Sequence, residues 1–378
     1  MRRAAKFLLA LGGVVLACHS GFAEDLGTWP MFHGNPSLTG VGPTGLTEPL
    51  ALAWSFKAEG PIKSSAVLDG QRVFVGSDDG NVYALEASSG KKLWSFKTGD
   101  SVEATPLVLE GVVYIGSADG YLYALEAARG TLKWKYKTDG KILGGANWVR
   151  PGGQGAARIL VGSYDNRVHC VDASTGKAVW TFETSNYING TPAVAGGKVI
   201  FGGCDGSLHV VDCATGKELV ATEAGEYIPG SPAVAGTRAF VGHYGSQVLC
   251  ADIVSGTVLW RSKERGAPFF SSPALTEDAV IIGSRNRRVY CLAREDGKER
   301  WAFATNGDVD SSPVVSGQRA AFGSSDGRLY VVDATSGKLL WSYEIGKAIA
   351  ASPALGRNLL VIGAEDGVVY AFGPKKNR

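Results

Sequence analysis

Short apolar runs separated by tight-turn sequences make up most of this chain. The stretch 320–341, AAFGSSDGRLYVVDATSGKLLW, contains three such runs, divided by Asp326-Gly327 and Ser336-Gly337. Glycine adopts a positive φ without strain, and aspartate before it tolerates the left-handed region, so such pairs are typical of hairpin turns. Runs of about five residues that are rich in Val, Tyr, Leu and Trp predict strands. With residues 311–315 as a further strand upstream, the stretch predicts a four-stranded antiparallel meander.

The same unit recurs along the chain with a period near 40 residues. The glycine that ends the first of these runs, Gly323, has counterparts at Gly76, Gly116, Gly162, Gly202, Gly242, Gly283 and Gly363. The tryptophan of the last run, Trp341, has counterparts at Trp54, Trp94, Trp134, Trp180, Val220, Trp260 and Trp301. Four strands in a repeat of this length predict an all-β fold, an eight-bladed β-propeller, rather than a helical solenoid.

The two ends of the repeat region predict how the ring closes. The last repeat stops at Phe372, before any tryptophan strand, and the first tryptophan strand, 53–57, has no partner before it. We therefore expect the N-terminal strand to complete the C-terminal blade, which leaves no blade with an unpaired edge. The predicted organisation is a signal peptide (1–23), a Pro/Gly-rich lead-in segment (24–50) packed across one face, the propeller (51–373) and a C-terminal tail (374–378).

The first 23 residues predict export from the cytoplasm. Three basic residues precede an 11-residue apolar run at 7–17, which is too short to span a bilayer. Gly21-Phe22-Ala23 fits the small-x-small pattern of signal peptidase, whereas the sequence before Cys18 resembles a lipobox. Cleavage after Ala23 and lipid attachment at Cys18 both remain open. The expected location is the periplasm or the outer membrane, and no other run is long enough to predict a transmembrane helix.

Composition and motifs narrow the classes of function. Without the three basic signal residues, 35 basic residues stand against 36 acidic ones, and a near-neutral chain with mixed charges gives no support for nucleic-acid binding. The five remaining cysteines include no CxxC and no adjacent pair, so we expect no structural disulfide. CxxCH, HExxH, GxSxG and P-loop motifs are absent, and the histidines lack metal-ligand spacing. The motifs therefore predict no catalytic residue and no metal site.

Three repeats carry a motif that marks a family resemblance. Residues 172–180 (DASTGKAVW), 333–341 (DATSGKLLW) and 86–94 (EASSGKKLW) are similar to the tryptophan-docking motif, AxDxxTGKxxW, of the pyrroloquinoline-quinone (PQQ) propellers. The resemblance covers essentially the whole mature chain. In that family the tryptophan fills the gap between neighbouring blades, so we expect the joint that follows blade four, where Val220 replaces it, to be the weakest.

The resemblance implies two functions of different classes. One is a small PQQ-dependent dehydrogenase, in which calcium and carboxylates hold the quinone over the central funnel, commonly beside a bridge between adjacent cysteines. Those cysteines are absent here, and the chain is shorter than the usual dehydrogenase. The other is a non-catalytic scaffold, similar to the propeller lipoprotein of the outer-membrane β-barrel assembly machinery, that binds an envelope protein or a surface polymer. We favour the scaffold, as a monomeric ring without a cofactor, and keep PQQ with calcium as the alternative.

The blades differ most in the turns that lead into their first strands. Six blades have a proline where their first strand begins, such as Pro106, and Ala66 and Ala146 take this proline position in blades one and three. Four residues before it every blade has an apolar residue, so by strand alternation its two neighbours point towards the central funnel. The apolar residues are Ile62, Val102, Ile142, Ile188, Ile228, Phe269, Val309 and Ile349. Their neighbours include three aromatic residues, Tyr187, Tyr227 and Phe270, and two carboxylates, Asp308 and Asp310. The other polar neighbours are Asn189, Lys63, Glu103 and Lys141.

The turns between the second and third strands should lie on the same face. Five blades have Asp-Gly there, but blade three has Tyr164-Asp165-Asn166-Arg167, blade five has Tyr244, and blade six has Arg285, Arg287 and Arg288. Exposed tyrosine and arginine are enriched at binding interfaces. We therefore expect this face to bind the partner through blades four to six. Its anchors would be Tyr187, Tyr227, Tyr244 and Phe270, with the three arginines as a basic rim.

Overall fold

The computed structural model describes residues 27–43, 45–46, 49–153 and 155–375. The predicted signal peptide, its lipidation candidate Cys18 and the last three residues of the tail lie outside these ranges. The described residues form 33 strands and one turn of 3-10 helix, Pro151–Gly153, which is far too short to cross a membrane.

The strands form eight antiparallel sheets, numbered here as blades one to eight. Two strands precede the first repeat, β1 (Thr28–Trp29) and β2 (Leu50–Lys57). Blade one has β3 (Val67–Asp69), β4 (Arg72–Gly76), β5 (Asn81–Glu86) and β6 (Lys92–Lys97), and blade two has β7 (Leu107–Leu109), β8 (Val112–Gly116), β9 (Tyr121–Glu126) and β10 (Leu132–Lys137). Blade three has β11 (Asn147–Val149), β12 (Arg158–Gly162), β13 (Arg167–Asp172) and β14 (Ala178–Glu183), and blade four has β15 (Ala193–Ala195), β16 (Lys198–Gly202), β17 (Ser207–Asp212) and β18 (Glu218–Glu223).

The second half of the chain repeats this arrangement. Blade five has β19 (Ala233–Ala235), β20 (Arg238–Gly242), β21 (Val248–Asp252) and β22 (Val258–Arg261), and blade six has β23 (Ala274–Leu275), β24 (Ala279–Ser284), β25 (Arg288–Ala293) and β26 (Glu299–Ala304). Blade seven has β27 (Val314–Ser316), β28 (Arg319–Gly323), β29 (Arg328–Asp333) and β30 (Leu339–Glu344), and blade eight has β31 (Ala354–Gly356), β32 (Leu359–Gly363) and β33 (Val368–Pro374).

The N-terminal strand supplies the missing fourth strand of blade eight. Strand β2 pairs with β33 in an antiparallel register that places Trp54 opposite Ala371. First strands of neighbouring blades contact each other around the circle, and β31 of blade eight contacts β3 of blade one. The predicted eight-bladed propeller of four-stranded blades is therefore confirmed, with one addition, because β1 pairs with β3 as a fifth strand of blade one.

A glycine at the end of each second strand receives an apolar residue of the next blade. A Cβ added to Gly116 would lie 2.2 Å from Ile142, and one added to Gly363 would lie 2.1 Å from Ile62. All eight apolar residues of this series are at most 1% exposed. The glycine period in the sequence therefore records a contact between blades, because any side chain at that position would push the next blade away.

The tryptophans join the blades on the outer side of the ring. Trp94 of blade one packs on Gly130 of blade two, and its indole N–H donates to the carbonyl oxygen of Ala127 at 3.0 Å. The same packing and bond recur at Trp54, Trp134, Trp180, Trp260 and Trp301, and the indole of Trp341 donates to Leu50 of the closing strand. Each indole thus buries its ring and satisfies its one donor.

The joint between blades four and five has no tryptophan. Val220 contacts Gly256 with one methyl group. Two polar contacts cross the same joint: the Thr222 hydroxyl donates to the Gly256 carbonyl at 3.0 Å, and the Arg261 guanidinium donates to two carbonyl oxygens at the end of blade four at 2.7 and 3.1 Å. This joint therefore lacks the indole ring and its hydrogen bond, and Thr222 and Arg261 form its polar contacts instead.

The lead-in segment lies in the central channel and forms hydrogen bonds with the first strands of seven blades, and its strand β1 also contacts β31 of blade eight. Besides the pairing of β1 with β3, its carbonyl oxygens accept a side-chain bond from Asn147 of blade three. They also accept backbone N–H bonds from Val108, Val194, Val234, Leu275 and Val315. These donors lie on inner strand edges that have no other strand to pair with. The segment therefore acts as a shared partner for the inner edges of the ring.

A buried histidine holds the lead-in segment in shape. His33 is 1% exposed, has a φ of 55°, and donates from Nδ1 to the carbonyl oxygen of Leu38 at 3.1 Å. Its ring stacks on Phe32, and its Nε2 atom has no hydrogen-bond partner within the described residues. Burial lowers the pKa of His33 to about 4, because the charged form would lose its hydration.

Replacing Val220 with tryptophan should stabilise the protein. The new indole can pack on Gly256 and donate to the carbonyl oxygen of Ile253, which stands where Ala127 stands for Trp94. We expect the free energy of unfolding to rise by about 1–3 kcal/mol. The matched reverse change, Trp180→Val, should lower it by about 2–4 kcal/mol. Denaturant titration measures both, and a Val220→Trp protein no more stable than the parent would contradict this account of the joint.

Mild acid should loosen the ring through His33. The folded-state pKa lies below the usual 6.5, so the stability that neutral His33 contributes is complete above pH 6.5 and is lost as the pH falls towards 4. Between pH 7 and pH 5 this loss is about 2 kcal/mol.

The variant His33→Asn tests this pH dependence. Asparagine is uncharged, tolerates a positive φ and can donate to Leu38. Its free energy of unfolding, measured by denaturant titration at each pH, should fall less than that of the parent protein over this range. Parallel curves for the two proteins would show that His33 is not responsible.

Candidate functional site

One face of the ring carries both variable sets of turns. We call it the upper face: it contains the turns that lead into the first strands and the turns between the second and third strands. In every blade the residue before the buried apolar position accepts an N–H bond at 2.8–3.1 Å from the second of these turns. These eight rim positions are Pro61, Ser101, Lys141, Tyr187, Tyr227, Pro268, Asp308 and Ala348.

The residue after the buried apolar position forms an inner ring. Its members are Lys63, Glu103, Leu143, Asn189, Pro229, Phe270, Asp310 and Ala350. The last six of these line a central funnel with a volume of about 160 Å³, together with Phe32 of the lead-in segment. The structure thus divides the predicted set in two, since one neighbour of each apolar residue lies on the rim and the other belongs to the ring around the funnel.

The predicted aromatic residues form an arc of two clusters. Tyr187 stacks on Tyr164 with ring centroids 4.9 Å apart and planes 8° apart. In the second cluster Tyr244 lies 6.2 Å from Tyr227 and 6.1 Å from Phe270. The outer three tyrosines, Tyr187, Tyr227 and Tyr244, are 48%, 51% and 50% exposed. Half-exposed rings braced by one another form a rigid apolar surface with polar edges.

Tyr164, which the sequence marks by the departure of its turn from Asp-Gly but does not include among the anchors, also belongs to this arc. It lies in the second–third turn of blade three, and its hydroxyl donates to Oδ1 of Asn189 at 2.8 Å. The Asn189 amide in turn donates to the Pro229 carbonyl at 3.1 Å, so both groups are held in place. Burial raises the pKa of the Tyr164 phenol, which therefore remains a neutral donor.

Arg285 and Asp310 form an ion pair at the end of the arc. The guanidinium donates from Nε to Oδ1 at 2.9 Å and from Nη2 to Oδ2 at 2.7 Å, and it lies 3.5 Å from the ring centroid of Phe270. The bond to Asp310 raises the pKa of Arg285. Its charge is therefore neutralised within the protein, and the exposed basic rim consists of Arg287 and Arg288. Asp308 lies on the rim, outside this pair.

The opposite side of the upper face is polar. Lys63 lies 2.8 Å from Asp78 and 3.5 Å from Glu103, and the hydrogen bond to Asp78 raises the pKa of Lys63. Lys141 is exposed on the rim of blade three. Because these charges are partly exposed and mutually paired, we assign them little attraction for a partner.

The funnel residues do not fit PQQ with calcium. Asp310 already gives both carboxylate oxygens to Arg285, and the amide oxygen of Asn189 accepts the Tyr164 hydroxyl. Calcium requires six or more oxygen ligands, and in the described part of the chain no group of three or more His, Cys, Asp or Glu side chains is placed to hold a metal ion. The funnel is also smaller than the roughly 300–1,000 Å³ of ordinary small-molecule sites.

Comparison with known proteins places this geometry in a family. Residues 153–378 match the family model described as the beta-propeller of the beta-alanine-activating enzyme, and residues 51–151 match the model described as outer membrane protein assembly factor BamB. A search of curated proteins found no significant match to the sequence.

Solved structures share the fold at low sequence identity. BamB from Moraxella catarrhalis is 21% identical, with a TM-score of 0.74 over 88% of this chain and 99% of that one. A europium-containing methanol dehydrogenase is 14% identical, with a TM-score of 0.75 over 93% and 99%. The quinohemoprotein alcohol dehydrogenase from Comamonas testosteroni is 14% identical, with a TM-score of 0.78 over 94% and 82%.

These matches confirm the family resemblance that the docking motif indicated, and at these identities the solved structures show the fold alone. The first family model covers more than half of the chain. The chain therefore belongs to the β-propeller family described for the beta-alanine-activating enzyme, and it is a PQQ-like propeller similar to BamB.

Proposed function

We propose that this protein is a non-catalytic scaffold of the cell envelope that binds a protein partner through its upper face. The observation that carries the proposal is the arc of half-exposed tyrosines, Tyr187, Tyr227 and Tyr244. Single exposed apolar residues are normal, but a contiguous exposed aromatic surface marks a binding site. Tyrosine suits this role because it offers a large amphipathic contact area and loses little conformational entropy on binding.

The charge of the arc sets the kind of partner surface that it would accept. Arg285 is neutralised by Asp310, so the end of the arc at blade six carries no net charge. The exposed Arg287 lies in the same turn as Arg285, and the exposed Arg288 begins the following strand, β25, so carboxylates of a partner could reach both. The partner should therefore present apolar groups and acceptors for the tyrosine hydroxyl groups to blades four to six, and acidic residues to the side of blade six.

The similarity to BamB supports a role in outer-membrane assembly. The matching family model is named for an outer membrane protein assembly factor, and it aligns with the repeats at 51–151. The predicted signal segment would carry the chain to the compartment where such assembly takes place. The partner in this proposal is accordingly an envelope protein. The binding test below also distinguishes it from the alternative partner, a cell-surface polymer.

Removing the arc should abolish binding without unfolding the ring. The triple variant with alanine at positions 187, 227 and 244 should bind solubilised envelope proteins at least 100-fold more weakly, because each anchor contributes about 1–3 kcal/mol. Its melting temperature should stay within a few degrees of the parent, since all three rings are half-exposed. The matched control is alanine at Leu93, Leu219 and Leu339, which are 46%, 52% and 52% exposed on outer strands.

A natural reporter for this test lies beside the arc. Cys204 donates its backbone N–H to the Tyr187 carbonyl and is the partly exposed member of the five described cysteines, the other four being buried. With Cys18 replaced by serine, a bound partner should slow maleimide labelling of Cys204. Binding that left this rate unchanged, or that the leucine control weakened as much as the tyrosine variant, would contradict the proposed face. Protection that survives protease treatment of the extract would identify a polymer as the partner.

The scaffold and the dehydrogenase alternative differ in the activity that they predict. If the protein is a scaffold, purified protein incubated with PQQ and calcium should not reduce an artificial electron acceptor in the presence of alcohols, aldehydes or sugars. The reason is that Asp310 and Asn189 are already bonded within the protein. Acceptor reduction that requires PQQ and disappears in Asp308→Ala or Asp310→Ala would favour the enzyme over the scaffold.

A further inference from the structure

Below the inner ring, the funnel has a second ring made of hydroxyl groups. The residue directly before the proline position is serine or threonine in seven of the eight blades, and Gly145 takes this place in blade three. All of these positions line the funnel, and the seven hydroxyl residues are 3–8% exposed. The seven are Ser65, Thr105, Thr191, Ser231, Ser272, Ser312 and Ser352.

Hydrogen bonds from blade to blade make these hydroxyl oxygens acceptors. The backbone N–H of Ser312 donates to Oγ of Ser352 at 2.9 Å, and the backbone N–H of Ser352 donates to Oγ of Ser65 at 2.9 Å. Four more bonds of 2.8–2.9 Å continue the series backwards from Ser272 to Gly145. Each hydroxyl oxygen in the series therefore uses a lone pair to accept from a neighbouring blade.

The hydroxyl protons are left without acceptors. In the part of the chain that the structure describes, none of the seven hydroxyl groups donates to a protein oxygen. Since the oxygen of each bonded hydroxyl faces a neighbouring N–H, its own proton must point elsewhere, and the funnel is the open space beside it. An accepted bond also polarises the hydroxyl and strengthens it as a donor. The funnel is thus surrounded by convergent donors.

The remaining lining favours an acceptor with a negative charge. Asp310 is the one charged side chain of the lining, and Arg285 neutralises it. The floor is the Phe32 ring, and Leu143 and Pro229 add apolar surface above the hydroxyl groups. A volume of about 160 Å³ holds a group of a few heavy atoms. Buried donors without acceptors are costly, and a carboxylate can accept several of them at once in short charge-assisted bonds.

We propose that the hydroxyl ring of the funnel is a binding site for a carboxylate. The site takes either a small free carboxylate or the terminal carboxylate of a polypeptide that enters from the upper face, since both present the same two oxygens. The lead-in segment fills the lower part of the channel, so access is from above. This inference does not depend on the identity of the partner proposed for the aromatic arc.

The test compares two serines that line the funnel with the buried serines beside them, of which Ser271 also donates its hydroxyl to the Gly283 carbonyl oxygen at 3.0 Å. Ser272 and Ser312 line the funnel, whereas Ser271 and Ser311 are equally buried and accept the N–H of Gly283 and Gly323 at 2.8 and 3.0 Å, away from it. The double variant Ser272→Ala, Ser312→Ala removes two funnel donors, and the double variant Ser271→Ala, Ser311→Ala is its control. Threonine at 272 and 312 restores the donors with a residue that blades two and four already use.

The probes are acetate, N-acetylglycine and the neutral N-acetylglycinamide, followed by ligand-observed NMR with the full chain. At least one of the two carboxylates should bind the parent protein, the Ser271/Ser311 control and the threonine variant with similar affinity. The same carboxylate should bind the Ser272/Ser312 alanine variant at least tenfold more weakly. Tighter binding of N-acetylglycine than of acetate would indicate a polypeptide terminus, and the reverse would indicate a free carboxylate. Equal binding of the amide, equal loss in both serine pairs, or no binding by the parent would overturn the proposal.

Discussion

The contact between a glycine of one blade and a buried apolar residue of the next is the constraint on which the upper face depends. At Gly363 this contact reaches Ile62 and so joins the last repeat to the first, which makes it part of the ring closure as well. Because the apolar side chain must point into the neighbouring blade, strand alternation turns the residues on either side of it towards the solvent or the funnel. The rim and the inner ring are therefore fixed by packing, whatever side chains occupy them.

The blades are joined at three depths, and these joints differ in chemistry. Tryptophans pack on the outer side, the glycine contacts lie in the middle, and hydroxyl groups and the lead-in segment bond the inner strands. The joint between blades four and five lacks the outer tryptophan but keeps Gly202 against Ile228 and the hydroxyl bond from Thr191 to Ser231. Since these two other layers still hold this joint, the absence of the tryptophan weakens the ring locally without opening it.

How far the sequence predicts this structure depends on whether an interaction repeats. The glycine and tryptophan periods predicted the eight blades, and the absence of a tryptophan strand after Phe372 predicted the closing role of Trp54. The lead-in segment has no such signal, because its hydrogen bonds go to strands of seven different blades and impose no period on its own residues. Only β1, two residues long, pairs as a strand, and no alternation can be read from two residues.

The aromatic residues of the candidate site could be predicted from the sequence, but the ion pair beside them could not. Variation from blade to blade pointed to Tyr187, Tyr227, Tyr244 and Phe270, and three of these four are in contact as one cluster. The bond between Arg285 and Asp310 was not predictable, because it joins the second–third turn of blade six to the leading turn of blade seven, 25 residues away. Recognising it requires knowing which turns of neighbouring blades lie side by side.

That one ion pair changes how the whole face should recognise a partner. With Arg285 free, the arc would end in a strong positive charge and would attract acidic surfaces in general. With Arg285 held by Asp310 against Phe270, the planar guanidinium instead extends the aromatic surface, and the exposed positive charge moves outward to Arg287 and Arg288. In the binding that we propose, shape and apolar contact act at the centre, and charge acts at the edge, where it affects association rate and orientation more than affinity. The carboxylate site that we propose in the funnel would add a third kind of recognition, because its hydroxyl groups offer donors where the arc offers aromatic area.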